Sequence, residues 1–160
     1  MKNCLTLTAD TPQVHLCVAL PCEARPLIDY YRLRRNTQCC SFEVYVNLDR
    51  SIQLIGSGVG KVNAAIAATY SFDIACKAPH ACFFNVGIAG SASYSLGDSV
   101  LAHKVTDHQT QQVWYPHMLS KLRIPNAPLT CYDNVQTQYG DALIDMESAG
   151  FFQAVSRLLT

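Results

Sequence analysis

Two of the chain's three glutamates, Glu23 and Glu147, each follow a short apolar run and open a segment with helical spacing. A carboxylate at such a junction has two roles open to it. It can cap the helix, since negative charge suits the positive end of the helix dipole. It can also do chemistry: one partly buried carboxylate activates water, and a second grips sugar hydroxyls through charge-assisted hydrogen bonds. Glycine-rich segments recur at the same kind of junction, as Gly56-Ser57-Gly58-Val59-Gly60-Lys61 and Asn85-Val86-Gly87-Ile88-Ala89-Gly90. The first departs from a P-loop because Val62 follows Gly60-Lys61, and from the dinucleotide fingerprint because its spacing is G-x-G-x-G. It reads either as a strand-to-helix turn or as an anion-facing row of backbone N–H groups at Ser57, Gly58 and Gly60. The second reads either as a plain turn or as bare backbone against which a flat ligand lies. Met146, beside Glu147, offers a soft apolar surface or is simply core.

These residues need strands to carry them to one place. Val14–Leu20 is a short β-branched run ended by Pro21, a buried strand. From Glu23 the apolar residues Ala24, Leu27, Ile28 and Tyr31 recur at helical spacing, with Arg32, Arg34 and Arg35 at the far end, where cations suit the dipole. Residues 42–48 and 51–55 read as a hairpin turning at Asp49-Arg50. The alanine-rich run 62–75 reads as a tightly packed helix, and Pro79 resets the chain. Residues 81–86, 99–105 and 142–146 read as further strands, and Glu147 onward as an amphipathic helix. The polar stretch 106–140 resists assignment, with Pro125 and Pro128 limiting any long helix. Strands alternating with helices predict an α/β layered fold around a central, largely buried sheet. In such folds ligands sit beyond the carboxyl ends of strands, and Pro21–Glu23, Gly56–Lys61, Gly87–Gly90 and Met146-Glu147 all fall there.

Composition narrows the classes. The 160 residues make one domain, 49% hydrophobic and with 12 basic against 12 acidic residues. That apolar share supports a packed core, and zero formal charge argues against a nucleic-acid-binding surface. No run approaches the roughly 18–20 apolar residues of a membrane span. The first dozen residues lack the apolar segment of a secretory signal, so a soluble cytoplasmic protein is expected. The eight cysteines form no C-x-x-C pair, and no metal site is expected. They read as reduced, mostly buried thiols, with vicinal Cys39-Cys40 as an oxidation liability. The five histidines suggest no triad with a serine or cysteine.

Taken in order, four segments resemble the nucleoside phosphorylase/nucleosidase superfamily. They are Ala19-Leu20-Pro21-Cys22-Glu23, Ser57 to Ala65, Asn85 to Gly90 with Gly97-Asp98, and Asp145-Met146-Glu147-Ser148-Ala149. The resemblance implies a three-layer α/β/α domain with a central mixed sheet, spanning 1–160 and lacking the family's final strand and helix. It implies cleavage of the N-glycosidic bond of a purine-type nucleoside through a cation-like ribosyl transition state. Glu23 matches the carboxylate that helps activate water. Glu147 matches the glutamate that binds ribose hydroxyls, and Met146 the methionine packed against the sugar. Ile88, Ala89 and Gly90 match the strand end lining the pocket, and Asp145 stands where nucleosidases often carry Glu.

Two departures follow from the same comparison. The chain ends thirteen residues past Glu147, so the aspartate that assists the leaving base has no counterpart; Trp114, Tyr115 or Tyr132 are candidates to stack on the base. The Gly-Asp-Pro-x-Arg segment of the phosphorolytic relatives is missing, with Arg25 the only nearby cation. The expected reaction is therefore hydrolysis without a cofactor. Phosphorolysis, with inorganic phosphate as co-substrate, and a non-catalytic nucleoside-binding or assembly module are the alternatives. The expected partners are a small-molecule nucleoside and further copies of the chain in a homo-oligomer, without nucleic acid or membrane.

Overall fold

The computed structural model describes residues 13–74, 81–118 and 123–159. Its layering follows from the period-two alternation of β1 (Gln13–Val18). Leu16 and Val18 bury against Ala24 and Leu33 on one side, together with Leu54 of β4 (Ile52–Gly56). Cys17 turns to the other side, joining Ile55 of β4 and Val44 of β3 (Glu43–Val46). The first side is covered by α1 (Pro21–Tyr30), the second by α2 (Lys61–Ile74) and α3 (Ser148–Leu158). A one-residue slip of β1 would exchange these two sets, so both layers pin its register. Val18, Val44, Leu54 and Ile55 are fully buried, each worth roughly 1.5–3 kcal/mol of apolar transfer.

Small residues decide how closely the helices approach. The buried face of α2 is Ala64, Ala67, Ala68 and Ser71, a spacing of i, i+3, i+4 and i+7. At its start the helix crosses α3 so tightly that a Cβ on Gly150 would run into the Lys61 carbonyl group. Only glycine fits at 150.

The first sheet runs β2-β3-β4-β1-β5, with β2 at Arg34–Arg35 and β5 at Ala81–Asn85. Here β1 lies parallel to both β4 and β5, while β3 runs antiparallel to β4 and β2 to β3. A second sheet runs β7-β6-β8-β9, made of β6 (Leu101–Asp107), β7 (Val113–Trp114), β8 (Asn126–Cys131) and β9 (Leu143–Asp145). Within it β6, β8 and β9 are parallel and β7 is antiparallel to β6. A two-way bridge between Gly90 and Ile144, with N···O distances of 2.8 and 2.9 Å, stitches the segment after β5 to β9. The expected mixed sheet with helices on both faces is present, in two stitched sections. No helix among the described residues is long and apolar enough to cross a membrane.

Several expectations need correcting. The first helix stops at Tyr30; Arg32 takes a positive φ of 52° and Arg34–Arg35 form a strand against Val46 and Tyr45. Their cations serve an edge strand, where Arg35 meets Glu43 at 3.5 Å, and not a helix terminus. The strand expected at 99–105 lies two residues later. The unassigned stretch 106–140 contains β7 and β8, and β8 is interior to its sheet. Pro128 is tolerated there because the β6–β8 register shifts between Ala102 and Lys104, beside the residue that cannot donate. The cysteines are less buried than expected: Cys17 and Cys131 are buried, whereas Cys22, Cys40 and Cys82 are exposed. Cys4, Cys76, the turn at Pro79 and His80 lie outside the described residues.

Candidate functional site

The parallel strands end in register. Val18 pairs with Gly56 and Cys17 with Asn85, while Asp107, Cys131 and Asp145 align across the second sheet. Beyond these ends lies a cavity of about 150 Å³ whose walls include Ala19, Asn85, Ala89, Asp145 and Glu147. A second cavity of about 600 Å³, lined among others by Gly90, Tyr94, Asp98 and Tyr139, shares Gly87, Ile88, Ala89, Val100 and Leu143 with the first. The smaller space alone falls below the roughly 300–1,000 Å³ usual for small-molecule sites, and the larger lies within that range.

Glu147 precedes α3, and its carboxylate turns back towards α2. Its Oε1 accepts from the Gly60 N–H at 2.8 Å and its Oε2 from the Met146 N–H at 3.3 Å. Gly60 adopts φ 105°, a conformation open to glycine and strained for other residues. The glycine loop does receive an anion, and that anion is Glu147. Gly58 also has positive φ, at 79°, and Ser57 donates through Oγ to the Gly58 and Val18 carbonyls at 2.9 and 3.3 Å.

Glu23, in the first turn of α1, divides its two oxygens. Oε2 accepts from the Leu20 N–H at 2.9 Å, which is half of a capping box. Oε1 accepts from the Ile88 N–H at 2.9 Å, across the gap to the strand-end segment. A Cβ on Gly87 would meet Glu23 Oε1 at 3.4 Å, so the carboxylate lies over bare backbone. Capping and site-building are thus done by the same side chain. Each carboxylate oxygen has two lone pairs, so neither glutamate is exhausted by these bonds.

Asp145 lines the smaller cavity, yet both its oxygens serve α3. Oδ2 accepts from the Ser148 N–H at 2.9 Å and Oδ1 from the Ser148 hydroxyl at 2.7 Å. Burial pushes its pKa above the usual carboxylate value, against the opposing pull of those Ser148 bonds. Behind the site, burial also raises the Cys17 thiol to about 11 and Cys131 to about 12; the charges of Glu147 and Asp145, respectively, add to it. Neither thiol is set up as a nucleophile at neutral pH.

The structure therefore gathers Ile88, Ala89, Asp145 and Glu147 around one cavity, with Glu23 bonded to its rim. Gly90 belongs to the larger cavity, and Met146 lines neither. Trp114 packs in the core of the second sheet, Tyr115 is exposed, and Tyr132 stacks on His108 at 4.3 Å. None of the three lines either cavity. Two groups escaped the sequence reading. Lys61 bonds to Asp107 at 2.7 Å and Asp133 at 2.8 Å. Asn85, the last residue of β5, lines the smaller cavity. The lysine stood inside the glycine segment, but its acidic partners are 46 and 72 positions away.

No protein-family model matches the sequence, and no curated protein sequence does. Solved structures do. An MTA/SAH nucleosidase from Colwellia psychrerythraea, in complex with adenine, superposes with a TM-score of 0.77 at 21% identity, covering 94% of this chain and 79% of that one. The 5′-methylthioadenosine nucleosidase of Arabidopsis thaliana gives 0.80 at 19%, covering 92% and 77%. A futalosine hydrolase mutant of Helicobacter pylori gives 0.71 at 13%, covering 91% and 84%. The chain has the nucleosidase fold. At these identities the architecture is what is shared, and it agrees with the superfamily resemblance carried by the four segments.

Proposed function

We propose that this protein hydrolyses the N-glycosidic bond of a purine-type nucleoside. The observation that carries the reading is the placement of Glu147: a carboxylate fixed by the Gly60 N–H in the wall of a cavity beyond the strand ends. In this reading its free lone pairs accept hydrogen bonds from ribose hydroxyls, and its charge favours the positive sugar that develops as the bond breaks. Glu23, held from the other side by Leu20 and Ile88, takes a proton from the attacking water as the water oxygen bonds to the anomeric carbon. The base leaves with the glycosidic electron pair and takes up a proton from solvent. Ile88, Ala89 and Gly90 form the floor on which sugar and base lie, and Asp145 lines the cavity beside Glu147. The nucleosidase fold of the neighbours, one of them holding adenine, supports the same substrate class. Hydrolysis is favoured over phosphorolysis because the Gly60 N–H, which would greet a phosphate, already holds Glu147.

The experiment is release of free base from adenosine-type nucleosides, with and without phosphate. Hydrolysis predicts a rate indifferent to phosphate, and a fall of about 10²–10⁴-fold in kcat on Glu23→Gln with the fold intact. A rate that requires phosphate replaces hydrolysis with phosphorolysis. Nucleoside that raises the melting temperature without base release makes the chain a binding module. No release and no stabilisation with any nucleoside overturns the reading.

A further inference from the structure

We propose that Lys61 is a positioning residue for Glu147: its ion pairs to Asp107 and Asp133 hold the first turn of α2, and with it the Gly60 N–H that anchors the Glu147 carboxylate. Lys61 opens α2, where the macrodipole disfavours a cation, and no acidic residue occupies that first turn. Helix stability therefore does not account for it. Its side chain instead leaves the helix for the second sheet. The side chain is 15% exposed, and its ammonium donates to Asp107 Oδ1 at 2.7 Å and Asp133 Oδ1 at 2.8 Å.

Both acceptors stand at strand ends. Asp107 closes β6 and is itself held by the Gln109 N–H and the Thr110 hydroxyl, each at 3.0 Å. Asp133 lies two residues past β8. The backbone of the same lysine completes the joint, because its carbonyl group packs against Gly150 of α3. One residue thus ties the start of α2 to β6, to the segment after β8 and to the first turn of α3. Gly60, its immediate neighbour, donates to Glu147 at 2.8 Å. A hydrogen bond between an N-terminal loop and a side chain 87 positions away keeps its geometry only if both ends are fixed, and Lys61 fixes one. Burial alone would lower the lysine pKa, but the bonds to Asp107 and Asp133 raise it, so the ammonium stays charged.

The kinetic part of this inference rests on the nucleosidase reading; the structural part does not. The test combines Gly60 amide exchange by NMR with steady-state hydrolysis of an adenosine-type nucleoside by the full chain. The variants are Lys61→Met, Lys61→Arg, Asp133→Asn, Glu147→Ala and Lys61→Met combined with Glu147→Ala. Gly60 exchange should quicken at least about tenfold in Lys61→Met relative to Cys17 in the core, and recover in part in Lys61→Arg. Lys61→Met should lower kcat/KM about tenfold or more in the native background, but less than about twofold once Glu147 is alanine, since the effect passes through that side chain. Equal losses in both backgrounds, or unchanged Gly60 exchange, overturn the proposal. If Lys61→Met does not fold, the half-exposed Asp133→Asn is read in the same way, with a smaller shift expected. If the native protein releases no base while Gly60 exchange responds as stated, the nucleosidase reading falls and the positioning role stands.

Discussion

Acidification should cost the protein stability through His15, by an amount that follows from the surroundings of its ring. This histidine lies in β1, only 1% exposed, with its ring stacked on Phe83 at 4.4 Å. Gln53 Nε2 donates to Ser71 Oγ at 2.7 Å, which leaves the serine hydrogen for His15 Nδ1 at 2.9 Å. The imidazole is therefore neutral with Nδ1 as acceptor, and a proton arriving there displaces that bond. Burial lowers its pKa from 6.5 to about 4. Because the unfolded chain binds the proton more readily, stability is complete above pH 6.5 and is lost as pH falls towards 4. Linkage puts the loss at about 2 kcal/mol by pH 5 and about 3 kcal/mol by pH 4. Asp145 acts in the opposite sense, since its raised pKa makes the folded state hold its proton more tightly. The comparison that isolates His15 is urea unfolding of native protein and His15→Asn at pH 7, 5 and 4. The variant should be less stable at pH 7 and lose markedly less than the native protein on the way down. Parallel curves would refute the assignment of this titration to His15.

Two further outcomes follow from packing. Gly150→Ala forces a methyl group into the Lys61 carbonyl, so urea midpoints should report a loss of roughly 1–3 kcal/mol or more, and a neutral result would mean that α2 and α3 do not cross this closely. On the far side of α2, Val62 and Ile66 are 72% and 52% exposed one turn apart, apolar surface that the homo-oligomer expected from the sequence would bury. Sedimentation should show an oligomer for the native protein and monomer for Val62→Glu with Ile66→Glu; identical sedimentation of the two would remove this face from any interface.

The architecture was legible where one local signal dominated. The apolar run of β1, the hairpin around Asp49 and the alanine face of α2 each obey a single period, and each element formed within a residue or two of its expected bounds. The misreadings share a cause, which is tertiary pairing that overrides local preference. Arg34 and Arg35 look like a cationic helix end until Tyr45 and Val46 offer them a ladder. The β8 strand carries a proline that local rules assign to an edge, and only the register shift in β6 makes an interior place available.

The site divides along the same line, and the division bears on how such centres should be sought. Glu23 and Glu147 were visible because a carboxylate at a strand-to-helix junction is a local pattern. Their immediate partners were not, because those partners are backbone amides: Ile88 and Leu20 for one, Gly60 and Met146 for the other. A backbone donor has no letter in the sequence. What the sequence does contain is the glycine that lets the donor take its place, as at Gly60 with its φ of 105°, or lets a carboxylate lie over the chain, as at Gly87. The glycine segments were informative for that reason, although they match neither nucleotide-binding pattern. Their anions are internal: Glu147 at the Gly60 N–H and Glu23 at the Ile88 N–H. A glycine loop at a helix start is therefore weighed best together with the carboxylates that the fold can bring to it, before any phosphate is invoked.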